Sequence, residues 1–141
     1  MYEWSWYQGQ RSGTVQDVNR EVCNAADRGV AVRVIMHNEA KGRHLGKLNR
    51  RTAGALERHG VKVLMQPQQR VLHAKVFVFD GKVALVGSHN ISNRSVGSNI
   101  ECGVMLDDEK AIEKIRSVFD ELWARGIKAP QVDAFEAVSQ S

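Results

Sequence analysis

Two apolar runs joined by an Asp-Gly dipeptide constrain the fold of this chain more than any other feature. The runs extend from Val71 to Phe79 and from Lys82 to Gly87, and Asp80-Gly81 lies between them. Because Asp and Gly accept the positive φ angles of a tight turn, this pattern strongly predicts an antiparallel hairpin. If the dipeptide is the whole turn, Phe79 lies opposite Lys82, and the partner of every other residue in the two strands is fixed.

The rest of the chain predicts strands that alternate with helices. Upstream of the hairpin, the pattern predicts a strand from Tyr2 to Tyr7, a helix from Thr14 that stops at Gly29, a strand from Val30 to Met36, a helix from His44 to His59, and a strand from Val61 to Met65. Downstream, it predicts a strand from Glu101 to Leu106 and a final helix capped by Asp107 or Asp108. Strands separated by helices pair in parallel through right-handed crossovers, so we expect a mixed α/β sheet.

A chain of 141 residues is long enough for one domain with a substantial core. We predict a single domain over residues 1–128, followed by a flexible tail over residues 129–141.

The predicted hairpin brings polar side chains to its open end. In the register set by Asp80-Gly81, His73 lies opposite Ser88, and Lys75 and Asn90 project on the same side of the strands. A histidine supplies a nucleophilic or proton-transferring nitrogen, a lysine supplies a fixed positive charge, and Ser and Asn supply hydrogen-bond donors. Such a set suits a tetrahedral oxyanion such as phosphate.

No pair of carboxylates and no His/Cys cluster at metal-ligand spacing accompanies these residues. The sequence therefore predicts chemistry without a bound metal or other cofactor.

The residues of this cluster resemble a known signature. His73-Ala74-Lys75, then Asp80 after four intervening residues, then Gly87-Ser88-His89-Asn90 after six more resemble the complete HKD motif of the phospholipase D superfamily. Asn99-Ile100-Glu101 resembles the segment that supplies the supporting acid of that family. Among its members, the chain resembles the single-motif bacterial endonucleases. The resemblance implies a mixed β-sheet with helices on both faces, and relative to those nucleases we expect a shortened N-terminus that lacks one strand and one helix.

The resemblance also implies a mechanism that needs two copies of the motif. Only His73 stands in an HxK context, so the second histidine would come from another copy in a homodimer. One His73 would attack phosphorus to form a phosphohistidine, and the other would protonate the leaving oxygen and then activate water. Lys75 and Asn90 would bind the non-bridging oxygens with help from Ser88, and Glu101 would orient the imidazole of His73.

Two other motif residues have structural roles in this interpretation. Asp80 lies seven residues from His73, or roughly 23 Å along a strand at ~3.3 Å per residue. It cannot reach the same phosphate within one subunit, so we interpret Asp80 as a turn residue and Gly87 as structural. By the same register, His89 projects to the opposite face and takes no part in catalysis.

The net charge of +4 is compatible with a polyanionic partner. Lys41, Arg43, Lys47 and Arg94 are weak candidates for a rim that binds a nucleic-acid backbone. The absence of a signal-peptide core or a membrane-spanning apolar stretch predicts a cytoplasmic protein without stable membrane insertion.

The favoured function is therefore cleavage of nucleic acid. Phospholipase D or phosphatidyltransferase activity on lipid is the enzymatic alternative, because it uses the same chemistry. A non-catalytic nucleic-acid-binding or dimerisation module is the alternative from another class.

Overall fold

A computed structural model describes residues 2–3, 13–39, 44–67 and 71–128. In these ranges the strands are β1 (Tyr2–Glu3), β2 (Arg33–His37), β3 (Lys62–Gln66), β4 (Val76–Phe79), β5 (Val83–Gly87) and β6 (Gly103–Leu106). The helices are α1 (Gly13–Asp27), α2 (His44–Glu57), α3 (Asn93–Gly97) and α4 (Glu109–Arg125). The rest of the predicted first strand, residues 4–7, and the predicted tail, residues 129–141, lie outside the described residues.

The six described strands form one sheet in the order β3-β2-β1-β4-β5-β6. Strands β1, β2 and β3 are parallel, and β4, β5 and β6 are antiparallel to their neighbours. Tyr2 pairs with Val76, so β1 joins the parallel half to the antiparallel half. The predicted mixed sheet is confirmed, with parallel pairing where α1 and α2 separate the strands and antiparallel pairing of β5 with β6 across the short α3.

Helices cover both faces of the sheet, as predicted. Alternate residues of β2 point to opposite faces: Val34 and Met36 pack in a core with α1 and α2, while Ile35 packs in a second core with Phe119 of α4. All three β2 residues are fully buried. The predicted strand with two covered faces is therefore correct, although it begins at Arg33 rather than at Val30.

Arg33 fastens α4 to the sheet. Its side chain is exposed, and Nη1 donates to Asp120 Oδ1 at 3.0 Å. The guanidinium carbon also lies 4.9 Å from the ring centroid of Phe119 and 5.4 Å from that of Trp123. Helix α4 itself begins at an N-cap formed by Asp108, whose Oδ1 accepts from the Ala111 N–H at 2.8 Å. Of the two predicted capping residues, the structure thus selects Asp108.

The hairpin forms where it was predicted, but the predicted register differs from the observed one by one residue. Phe79 pairs with Val83, not with Lys82, and Val76 pairs with Val86. Asp80 and Gly81 have φ angles of +52° and +67°, and the Lys82 N–H donates to Phe79 O at 2.9 Å. Lys82 is an extra loop residue that the two-residue turn did not include, and this shifts every pair beyond it.

The strands around the candidate site are also shorter than predicted. Residues 71–75 are not in a strand, because β4 begins at Val76, and β6 begins at Gly103 instead of Glu101. The Gly87 N–H donates to Lys75 O at 3.1 Å, which continues the pairing one step beyond Val76. Strand alternation therefore does not determine where His73 points.

Within the described ranges, no helix is both long and apolar enough to cross a membrane.

Candidate active site

The first part of the site is the segment that carries His73 and Lys75. Lys75 is only 4% exposed, and its Nζ donates to the backbone carbonyl of His73 at 2.8 Å. A buried ammonium needs such a partner, because an unpaired charge in the interior is costly. The bond also closes residues 73–75 into a local turn of chain. His73 itself is exposed and open to a ligand.

Buried residues of the core hold the same segment at Leu72. Leu72 is buried in the core on the α4 side, and its N–H donates to Nδ1 of the buried His37 at 3.4 Å. The carbonyl of His37 in turn accepts from Nδ2 of Asn49, which is fully buried in α2. His37 at the end of β2, itself held by Asn49 of α2, therefore fixes the backbone directly before His73.

The second part of the site surrounds Glu101. Ser88 Oγ donates to Glu101 Oε2 at 2.5 Å, and Asn99 Nδ2 donates to Glu101 Oε1 at 3.1 Å. Ser88 Oγ also accepts from the Cys102 N–H at 3.2 Å. Hydrogen bonds from Ser88, Asn99 and Ser95 lower the pKa of Glu101, and the nearby His89 acts in the same direction. Glu101 is therefore a carboxylate at neutral pH.

Asn90 belongs to the same network. Its backbone N–H donates to Ser95 Oγ at 3.2 Å. Ser95 lies in the short helix α3, whose N-cap is Ser92. The Oδ1 atom of Asn90 is buried, with no hydrogen-bond partner among the described residues. A buried amide oxygen that accepts no hydrogen bond is unfavourable, and a bound group with a hydrogen-bond donor could satisfy it.

Gly87 and His89 fill the space between these two parts. A Cβ atom on Gly87 would lie 2.5 Å from His89 Cε1 and 2.8 Å from the carbonyl oxygen of Cys102. Gly87 pairs with Gly103 on β6, and the imidazole of His89 covers both glycines. The same ring lies 6.4 Å from that of Phe77, at an interplanar angle of 15°. A side chain at position 87 would therefore displace both the imidazole and the backbone.

This packing corrects the predicted placement of His89. In the predicted register Phe77 lies opposite Ala84, which would place His89 on the other face of the sheet. His89 instead packs on Phe77 and lowers the pKa of Glu101. The one-residue shift is the reason, because the observed register pairs Phe77 with Leu85 and so brings the odd-numbered residues of β5, which His89 follows, to the side of Phe77.

The structure brings some predicted residues together directly. Ser88 contacts Glu101, Lys75 contacts the His73 backbone, and Asn90 reaches the Glu101 network through Ser95. The predicted contact between Glu101 and the His73 ring stays a prediction. Asp80 lies in the turn, as expected for a residue whose role is structural.

The predicted basic rim is only partly described. Lys47 on α2 and Arg94 in α3 are both exposed, whereas Lys41 and Arg43 lie outside the described residues. Sequence reasoning missed His37, Asn49 and Ser95. His37 lies outside the motif, and nothing in its sequence context indicates that it neighbours His73. Asn99 belongs to the segment Asn99-Ile100-Glu101, but the sequence does not predict its hydrogen bond to Glu101.

Comparisons with known proteins agree with this fold and motif. The family model described as "Cardiolipin synthase, PLD-like domain" matches residues 5–123. Cardiolipin synthase A of Yersinia pseudotuberculosis is 32% identical over 109 residues, which cover 77% of this chain and 22% of the relative. The chain thus spans about a fifth of the length of the curated relatives it matches.

Two solved structures share the fold. NucT from Helicobacter pylori superposes with a TM-score of 0.70 at 20% identity, covering 89% of this chain and 78% of NucT. Nuc from Salmonella typhimurium, a phospholipase D family member, superposes with a TM-score of 0.75 at 17% identity, covering 94% of this chain and 80% of Nuc. The chain belongs to the phospholipase D-like family.

The close approach at Gly87 predicts a loss of stability in the variant Gly87→Ala. The added methyl group must displace the Cys102 backbone or the His89 ring, which we expect to cost ~1–3 kcal/mol of unfolding free energy. Gly54→Ala is the matched control, because a Cβ atom there meets nothing within 4 Å. Helix propensity should make that variant more stable by ~0.5–1 kcal/mol. Equal stability of the two variants in denaturant melts would contradict the packing described at Gly87.

The hydrogen bonds to Glu101 predict a pH effect. Because the pKa of Glu101 is lower in the folded protein than in the unfolded chain, the group stabilises the fold above its unfolded pKa. That contribution is lost as pH falls through the folded pKa. Ser88→Ala removes the largest cause, so the pKa of Glu101 should rise in an NMR titration of the carboxyl carbon.

Ser98→Ala is the control for this titration, because Ser98 Oγ donates to Arg94 O. An unchanged Glu101 pKa in Ser88→Ala would show that the hydrogen bond does not set the charge of the acid.

Proposed function

We propose that this chain is a phosphodiesterase that cleaves nucleic acid through a phosphohistidine, as a homodimer. The observation that carries the proposal is the network in which Ser88, Asn99 and Ser95 keep Glu101 ionised beside the motif that includes His73. A protein that only binds nucleic acid has no chemical need for a carboxylate held in this way. An acid that balances a developing imidazolium charge does need it.

The proposed reaction begins with attack on phosphorus. A ring nitrogen of one His73 forms a bond to phosphorus, and the bond from phosphorus to the leaving oxygen breaks. The imidazolium of the second copy's His73 gives its proton to that oxygen, which leaves as an alcohol. Lys75, whose Nζ lies 2.8 Å from the His73 carbonyl oxygen, would place its positive charge against a non-bridging oxygen.

The second step restores the enzyme. The now neutral His73 of the second copy takes a proton from water, and the hydroxide attacks phosphorus as the bond to the first His73 breaks. The products are one alcohol and one phosphomonoester, and each histidine returns to its starting state. Asn90 would bind an oxygen of the phosphoryl group through the N–H donors of its side-chain amide.

Charge supports nucleic acid as the substrate. The chain has a net charge of +4, and exposed Lys47 and Arg94 lie on α2 and α3. Cations at the rim of a site attract a polyanion and release its counterions. With Lys41 and Arg43, these residues are the proposed contacts to the backbone of the nucleic acid.

A lipid substrate is the second candidate, and one observation favours it. Ile100, next to Glu101, is fully exposed, and Val104 and Met105 on the edge strand β6 are 53% and 75% exposed. Exposed apolar side chains beside a phosphodiesterase site could contact acyl chains. The match to cardiolipin synthase A agrees with this alternative.

One assay with EDTA present separates the candidates. We expect the wild type to cleave single-stranded DNA, duplex DNA or RNA, and His73→Ala to lose turnover by a factor on the order of 10³ or more. His59→Ala is the matched control, since His59 pairs with Asp27 at 3.0 Å on the surface. Asp80→Asn should keep turnover, because Asn tolerates the positive φ of the turn.

Other outcomes of the assay would contradict the proposal. Turnover of phosphatidylcholine or phosphatidylglycerol vesicles without cleavage of nucleic acid would favour the lipid enzyme. Binding of nucleic acid without cleavage in wild type would favour the non-catalytic module. Loss of turnover in Asp80→Asn as complete as in His73→Ala would contradict the structural role of Asp80.

A further inference from the structure

We infer that His37 is a positioning residue that holds the backbone before His73 in place, and that it does so only as a neutral imidazole. The inference rests on the proposed function, in which His73 is the nucleophile. It concerns a histidine outside the HKD motif, at the end of the parallel strand β2.

The first argument is the need for an anchor. Residues 71–75 carry the proposed nucleophile but do not belong to a strand, and the sheet pairing described for this part of the chain reaches the segment at Lys75, whose carbonyl accepts from the Gly87 N–H. Directly before His73, the Leu72 N–H donates to His37 Nδ1 at 3.4 Å. Both side chains are buried, at 6% exposed for Leu72 and 8% for His37. A long hydrogen bond in a dry environment still matters, because the N–H group would otherwise be left unpaired.

The second argument is that the anchor is itself rigid. Asn49 on α2 is fully buried, and its amide donates to the backbone carbonyl of His37 at 3.0 Å. His37 also pairs with Gln66 of β3 in the parallel sheet. The imidazole therefore extends from a fixed point of the core to the segment that carries the nucleophile. A displacement of even 1 Å at a nucleophile can lower turnover strongly.

The third argument concerns the proton. A nitrogen that accepts a hydrogen bond carries no proton, so Nδ1 is bare and the neutral ring holds its proton on Nε2. A second proton on Nδ1 would remove the acceptor and break the bond to Leu72. It would also place a positive charge near His73.

The buried environment of His37 favours the neutral form of its ring. Burial lowers the pKa of His37, and His73 adds to the lowering, while the carboxylate of Glu39 acts in the opposite direction. The side chains from α2 and β3 named above, Asn49 and Gln66, are uncharged. Because the folded pKa is lower than the unfolded one, the anchor is intact at neutral pH and is lost as pH falls through the folded pKa.

The test compares two substitutions at position 37. Asn keeps an acceptor near the position of Nδ1 and does not titrate, whereas Leu has a similar volume and no acceptor. We expect His37→Leu to lower kcat by about tenfold or more with little change in KM. We expect His37→Asn to stay within about threefold of wild type at pH 7, and to keep its activity to lower pH than wild type does. His59→Asn is the control for a histidine substitution outside the site.

Two measurements do not depend on turnover. Nitrogen NMR of the wild-type ring at pH 7 should show an unprotonated Nδ1 and a protonated Nε2. The protection factor of the Leu72 amide hydrogen, which is its exchange rate relative to the intrinsic rate at the same pH, should be about tenfold lower in His37→Leu than in wild type. In wild type this protection should fall on acidification, and in His37→Asn it should not.

The outcomes separate this inference from the proposed function. If the wild type has no turnover on any substrate, the proposed function fails, while the ring nitrogens and the Leu72 amide still test the anchor. A protonated Nδ1 at pH 7, or equal Leu72 exchange in His37→Leu and wild type, would overturn the anchor. Wild-type kcat and pH profile in His37→Leu would overturn its role in positioning His73.

Discussion

The pairing of β4 with β5 is the constraint on which the rest of the site depends. Its last hydrogen bond runs from the Gly87 N–H to Lys75 O, and it joins the two parts of the candidate site. His73 lies just before this bond on one chain segment, and Ser88 lies just after it on the other. Gly87 makes the approach possible, because any side chain there would meet the Cys102 carbonyl and the His89 ring.

The two parts of the site are stabilised differently. The acid, Glu101, is held by side-chain donors from Ser88 and Asn99 near the surface, and these also set its charge. The segment that carries His73, the proposed nucleophile, is held through its backbone by buried groups, the ammonium of Lys75 and the imidazole of His37. A loop that presents an exposed histidine gains from such buried anchors, since residues 71–75 precede the strand that begins at Val76.

Sequence reasoning identified the elements better than their contacts. The alternation of apolar positions predicted the three long helices, the parallel strands and the hairpin, but not the short α3. The hairpin register pointed to His73 and Lys75, and the resemblance to a known family added Glu101. The register failed because nothing local indicates that Lys82 is a third loop residue after Asp80 and Gly81. The link between His37 and Leu72 could not be predicted, because the two residues are 35 positions apart and meet only in the folded sheet.

The central claim is that each site takes one His73 from each of two copies. The most direct measurement is the turnover of mixtures in which wild type and His73→Ala are co-refolded at known ratios. If both histidines are needed, activity per total protein falls as the square of the wild-type fraction, to about one quarter in an equal mixture. Activity that falls in direct proportion to the wild-type fraction would show that one copy is sufficient, and it would contradict the account.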